Sequence, residues 1–209
     1  MTSPHRFVVV RHGNTFAAGE TPRRIGGRTD LRLTEQGRDQ ARNLGAHFAQ
    51  AGMHFDRVLV SPLKRTIETA ELILAAQVGP GEPTTAEWLR EVDHGPDENQ
   101  PEEAVLARIG PDALAAWEQR GEPPQGWLID PDAQRAAWHR LLTQDGSGTS
   151  LIVTSNGVAR FALLCDPALE EQATRLPTLK LPTGGYGCID RTLEQHRVPL
   201  QLVAWGVRP

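Results

Sequence analysis

Short apolar runs punctuate this chain at intervals, and longer stripes of apolar residues at helical spacing lie between them. Phe7-Val8-Val9-Val10, Arg57-Val58-Leu59-Val60 and Leu151-Ile152-Val153-Thr154 are β-branched and almost unbroken, the pattern of strands buried on both faces. Thr84 to Leu89 reads as a third, weaker strand, and two closing strands are expected near Tyr186 to Asp190 and Leu200 to Trp205. Thr34 opens a helix as N-cap, with Ala41, Leu44 and Phe48 on its apolar stripe. Ser61 is expected to cap the next, with Pro62 at its first position and Leu63, Ile67, Ala70 and Leu74 facing the core. Pro101 to Gln119 is helical in pattern but interrupted at Gly110-Pro111. Asp132 to Leu142 is a further helix that buries Trp138, Leu141 and Leu142, and another, VARFALLC, follows Gly157. Asp166 to Gly185 is read as irregular.

Strands alternating with helices predict an α/β three-layer sandwich: a mainly parallel central sheet, helices on both faces, and one antiparallel edge strand where the last two strands follow each other without a helix. The 209 residues, 39% of them hydrophobic, suffice for a single domain, with 93–148 as a cap-like insertion. A formal net charge of −4 offers no polyanion-coating surface, so no nucleic-acid partner is expected. No apolar run approaches the ~18 residues of a membrane span. The opening MTSPHR lacks the apolar stretch of a secretory signal. Cys165 and Cys188 fit no metal or redox spacing. Together these predict a soluble cytoplasmic protein with reduced thiols.

Chemistry concentrates just after the apolar runs. Arg11 and His12 follow the first strand, Arg65 lies in the first turn of the helix after the second, Glu91 follows the third and Asn156 the fourth. In a parallel sheet all four loops share one edge, where ligands bind. Two guanidinium forks, an imidazole, a carboxyl group and a helix N-terminus together suit phosphate.

The order of motifs then resembles the histidine phosphatase superfamily, the phosphoglycerate-mutase-like group. Arg11-His12-Gly13-Asn14-Thr15 resembles its RHG-x-T signature. Gly27-Arg28-Thr29-Asp30 with Leu33-Thr34, Gly37, Gln40 and Ala41 resembles G-R-x-D…L-T-x-x-G-x-x-Q-A. Ser61-Pro62-Leu63, Arg65 and Thr69-Ala70 resemble S-x-L-x-R-x-x-x-T-A, and Leu89-Arg90-Glu91 with Gly95 resembles L-x-E-x-x-x-G. The resemblance implies that His12 attacks phosphorus, that Arg11 and Arg65 hold the nonbridging oxygens, and that Glu91 protonates the leaving alkoxide and then activates water. It implies Asn14, Arg28, Asn156 and Gly157 as substrate or phosphate contacts, and no metal or cofactor. The partner it implies is a small phosphorylated substrate.

Two departures qualify it. The second pocket histidine of that family falls on Asn156, a neutral donor that never becomes a cation. The exchange should cost on the order of 1–2 kcal/mol of transition-state stabilisation, weakening activity rather than abolishing it. Beyond Gly95, where small phosphatases of the family often read G-x-W-E-G, this chain keeps only the glycine and Glu98. His94 is a candidate to replace the missing charge, whereas His5, His47, His54, His139 and His196 read as surface or satisfied histidines. Asp93, Asp97, Glu98, Glu102 and Glu103 read as a solvated acidic face, and Trp88, Trp117, Trp127 and Trp138 as cap or core. Three readings follow: a phosphatase working through phosphohistidine, which is favoured; a mutase; and a noncatalytic phospho-ligand binding protein.

Overall fold

Four parallel strands form the spine of the molecule. The computed structural model describes residues 4–192 and 199–209, so His196 falls outside the described residues. β1 (His5–Arg11) leads through α1 (Glu35–Gln50) to β2 (Arg57–Val60), then through α2 (Lys64–Leu74) to β3 (Pro83–Thr85). α3 (Glu102–Arg120) and α4 (Pro131–Thr143) precede β4 (Gly148–Thr154). α5 (Asn156–Ala159), α6 (Pro167–Ala173), β5 (Tyr186–Arg191) and β6 (Leu200–Val207) close the chain. The sheet order is β3-β2-β4-β1-β5-β6. β1 to β4 run parallel, β5 is antiparallel to β1, and β6 is antiparallel to β5. The reversed strand is thus β5, one position in from the edge that β6 completes.

Phe7 to Val10 are each 0% exposed, which requires cover on both sides. Phe7 and Val9 face a cluster holding Trp117, Trp138, Leu141, Phe161 and Leu169 from α3 to α6. Val8 and Val10 face Leu44 and Phe48 of α1 and Ile73 of α2. The alternation follows from strand geometry, in which successive side chains point to opposite faces. The segment 93–148 contributes Trp117, Trp127, Trp138 and Leu141 to the same cluster as the sheet residues.

Several local expectations are corrected. The third strand is only Pro83–Thr85, and Glu87–Leu89 is a 3-10 turn. This turn lets Leu89 enter the core while its carbonyl accepts from Thr154 Oγ1. Ser61 does not cap α2: Leu63 holds the cap position and the Lys64 N–H donates to Asp30 Oδ1 at 2.7 Å. A residue from the distant loop between β1 and α1 satisfies the helix start, so the helix begins later. The helix after Gly157 is one α-turn followed by a 3-10 turn, Arg160–Ala162. The stretch 166–185 contains α6, capped by Asp166, whose side chain accepts from the Ala168 N–H. The break in α3 falls where expected, at Gly110 with φ 79°.

Candidate active site

The carboxyl ends of β1, β2, β3 and β4 do share one edge, and there they bring Arg11, His12, Arg65, Glu91 and Asn156 together. Arg11, His12, Asn14, Glu91, Asn156 and Gly157 line a cavity of about 600 Å³. Arg65 stands behind His12, fully buried, with its Nε donating to His12 Nε2 at 3.1 Å.

His12 is fixed from both sides. Its backbone N–H donates to the Thr154 carbonyl, continuing the β1–β4 ladder past the strand. Its Nδ1 lies 2.8 Å from the Gly13 carbonyl. A carbonyl only accepts and a guanidinium only donates, so these partners assign a proton to Nδ1 and a lone pair to Nε2. Burial, then Arg65 and Arg11, push the imidazole well below the ordinary histidine range. The ring is therefore neutral at neutral pH, with its lone pair on Nε2.

Two arginines, Arg65 and Arg11, act on this imidazole and a third lines the same cavity, and each donates to backbone carbonyl oxygen. Arg65 donates from Nη1 to Thr29 O (2.7 Å) and from Nη2 to Gly26 O (3.1 Å). Arg11 donates from Nη1 to Leu181 O (2.8 Å) while its Nε has no partner among the described residues. Burial lowers the Arg11 guanidinium to about 10, which still leaves it charged at neutral pH. The third, Arg160, also lines the cavity and donates to Trp117 O at 2.6 Å. Sequence reasoning missed it; the available signal was a charged residue inside the otherwise apolar VARFALLC.

Glu91 is the carboxyl group within this cationic site. Its Oε1 accepts from the Val92 N–H and its Oε2 from the Gly157 N–H, both at 2.9 Å. A Cβ on Gly157 would overlap Glu91 Oε1, so the glycine permits the close approach. The Gly157 N–H is thereby engaged with the carboxyl group rather than free for phosphate. Asn156 Oδ1 accepts from the Leu181 N–H at 2.9 Å, which leaves its NH₂ group as the cavity-side donor. Because Leu181 O receives Arg11, Asn156 and Arg11 grip the same residue.

Other candidates sit differently. Asn14 donates to Phe16 O and Gln36 Oε1, so its N–H bonds tie the following loop to the start of α1. Arg28 donates to Asp93 Oδ1 (2.9 Å) and Gly95 O (2.6 Å), is 58% exposed, and is not part of the cavity lining. His94 does line the cavity, edge-on to Trp127, with Nδ1 3.6 Å from Glu98 Oε2.

The acidic face is a second correction. Asp97 is 2% exposed, paired with Arg108 and accepting from Trp127 Nε1. Glu98 Oε1 accepts from Gly26 N (2.9 Å), Arg28 N (3.2 Å) and Thr29 Oγ1 (2.7 Å), and its Oε2 accepts from His94 N (3.1 Å). Burial opposes ionisation of Glu98, but these donors prevail and hold it at about 2. Both carboxylates are structural hubs, because the loops around them supply the donors that replace water.

With this geometry in place, the likeness to known proteins is informative. A phosphoglycerate mutase of the 2,3-bisphosphoglycerate-dependent kind from Leifsonia xyli is 29% identical over 131 residues, 62% of this chain and 52% of the relative. The chain therefore spans about half the length of the curated relatives it matches. A solved structure from an open reading frame of Mycobacterium tuberculosis is 26% identical, covers 98% of both chains and superposes with a TM-score of 0.70. A mycobacterial glucosyl-3-phosphoglycerate phosphatase shares the fold at 20% identity, covering 97% of this chain and 99% of its own, with a TM-score of 0.75. Residues 7–201 match the family model of the histidine phosphatases. A match of that extent, on a sheet that ends in a neutral histidine among buried arginines, means that the chain belongs to the histidine phosphatase superfamily, branch 1.

Proposed function

We propose that the protein is a phosphomonoester hydrolase that transfers the phosphoryl group to His12 and then to water. The observation that carries this reading is the state of His12: neutral, with Nδ1–H held by Gly13 O and the Nε2 lone pair directed at Arg65. The pair forms a nucleophile already joined to its charge stabiliser.

In the first step Nε2 attacks phosphorus, a P–N bond forms and the ester P–O bond breaks. The Arg65 Nε–H that occupied the lone pair is released to a nonbridging oxygen, and Arg11 holds another. Glu91 gives its proton to the departing alkoxide. In the second step the Glu91 carboxylate takes a proton from water, the new oxygen–phosphorus bond forms, and the P–N bond returns its electron pair to Nε2. Asn156, read here at the position of the family's second histidine, supplies a neutral N–H to the transferring group.

A rapid quench with radiolabelled phosphoester should trap an acid-labile phosphoryl group on His12, and His12→Ala should lose it together with at least ~10³-fold in kcat. A purified His12→Ala protein with wild-type turnover would remove His12 from the chemistry. The mutase reading makes a different prediction, phosphoryl return to a second phosphoester position, which product analysis by phosphorus NMR reads directly. Absence of both phosphate release and phosphoryl return, with phosphate still bound, would leave only a binding protein.

A further inference from the structure

We infer that Gln40 is a positioning residue for His12: its side-chain oxygen fixes the peptide unit whose carbonyl holds the Nδ1–H of the imidazole. The effect on turnover rests on the hydrolase reading, whereas the hydrogen bonds do not.

The acceptor for His12 Nδ1 is local, the carbonyl of Gly13 at 2.8 Å. That oxygen belongs to the peptide unit joining Gly13 to Asn14, which lies in the loop past β1 with no strand ladder to orient it. Gly13 brings no side chain to lock it, and a Cβ there would overlap Gly37 O. The peptide units on either side are pinned. Gly13 N–H donates to Thr69 Oγ1 at 3.2 Å, and Asn14 O accepts from Thr34 N–H (2.9 Å) and Thr34 Oγ1 (3.1 Å). The unit between them is held at its nitrogen end by one group among the described residues, Gln40 Oε1, which accepts from Asn14 N–H at 2.9 Å. A backbone N–H only donates, so the amide oxygen of Gln40 is the atom that faces it.

Both bonds act on one peptide unit, at opposite ends. An N–H that donates makes the carbonyl at the other end a better acceptor, because hydrogen bonds in a chain polarise one another. The chain runs from Gln40 Oε1 through Asn14 N–H and Gly13 O to His12 Nδ1–H, and ends at Nε2, which accepts from Arg65. Gln40 is itself seated against Gly184, where φ is 63° and a Cβ would come within 2.6 Å of Gln40 Cβ. Gly184 N–H in turn donates to His12 O at 3.1 Å. Gln40 thus braces the backbone on both sides of the imidazole. It is not part of the cavity lining, so it acts through His12 and not on a ligand.

The test compares the wild type with Gln40→Met, which keeps the volume and removes the acceptor, and with Gln40→Glu, which keeps an acceptor. In protein carrying isotope-labelled histidine, the His12 Nδ1–H proton, identified by its loss in His12→Asn, should give one downfield NMR resonance. It should move upfield and broaden in Gln40→Met and persist in Gln40→Glu. With p-nitrophenyl phosphate as substrate, Gln40→Met should lower kcat about tenfold, the effect of one lost hydrogen bond, while inhibition by orthophosphate stays within about twofold. Gln40→Glu should keep kcat within about threefold of wild type. An unchanged Nδ1–H resonance in Gln40→Met, or in Gln40→Ala where the methionine variant does not fold, overturns the inference. So does a Gln40→Glu protein as slow as Gln40→Met, which would make packing and not the acceptor the cause. So does a loss of orthophosphate affinity as large as the loss of kcat. If the wild type hydrolyses no ester but the resonance is present and is lost in Gln40→Met, the inference stands and the hydrolase reading falls.

Discussion

At Asn156 the two ends of one amide have separate tasks. The carbonyl accepts from Leu181 N–H, and Leu181 O in turn accepts from Arg11, so the residue positions Arg11, the proposed phosphate ligand, through the backbone of another segment. The amide nitrogen is the donor that remains for the transferring group. A histidine there would present a cationic donor only by giving up the first task, because a protonated ring donates from both nitrogens and cannot accept from Leu181 N–H. Charged hydrogen bonds are about twice as strong as neutral ones, so Asn156→His should raise kcat by about tenfold, equivalent to ~1.4 kcal/mol. The pH profile should change with it. In the wild type the acid limb of kcat/KM belongs to His12 and lies below 6.5, because burial and then Arg65 and Arg11 disfavour its protonation. In Asn156→His a second ionisation should appear, and the added rate should vanish as pH rises through it. A variant slower than wild type at every pH would show that the neutral amide is required here.

Among the elements, the loop 26–29 and the turn 94–98 form a latch whose bolt is Glu98. The carboxylate collects N–H and O–H donors from Gly26, Arg28, Thr29 and His94. The carbonyls of Gly26 and Thr29 are in turn the acceptors of Arg65. Glu98 therefore acts on the phosphate site at one remove, by holding the loop that holds Arg65. Glu98→Gln puts an NH₂ group among N–H donors and should destabilise the fold by about 2 kcal/mol. It should also weaken inhibition by orthophosphate several-fold, whereas Thr29→Val, which removes one donor only, should show the same trend more weakly. Urea unfolding and phosphate titration check both effects. Full phosphate affinity in a folded Glu98→Gln protein would disconnect the latch from Arg65. This network was not legible in the sequence, where Glu98 reads as one acid among five and, with Gly95, as a remnant of a family motif, with no partner indicated. Its role depends on donors from a loop about seventy residues earlier, and no local pattern records such pairing. The apolar runs were legible because a strand buried on both faces must be apolar along its length, and β1 at 0% exposure is such a strand. Thr84 to Leu89 failed the same reading because its apolar residues pack against Thr154 and the helices from a 3-10 turn rather than from a ladder.

Taken whole, the molecule places buried ionisable groups at both ends of its sheet, and their charge states couple folding to pH. The cavity end holds Arg11, His12, Arg65 and Arg160, and all but the imidazole stay charged. At the opposite end His5, hydrogen-bonded to Ser150, stacks on Phe7. Burial, then Arg191, lowers the pKa of His5, while burial, Arg65 and Arg11 lower that of His12, both from 6.5. A histidine whose folded value is depressed binds its proton more readily in the unfolded chain. Stability is then full above about 6.5 and falls as pH drops below it. One unit below, His12 alone should account for about 1 kcal/mol. Glu98 acts in a lower window: held at about 2 against an ordinary 4.5, it contributes stability above 4.5 that is lost as pH falls towards 2. The expected urea midpoint is therefore flat from pH 8 to 7, declines as pH falls below 6.5, and declines more steeply below 4.5. His12→Asn should reduce the first decline to the part that His5 contributes, without moving the second. A midpoint that holds constant from pH 7.5 to 5.5 would mean that both imidazoles protonate without cost in the folded state, contrary to their burial among arginines.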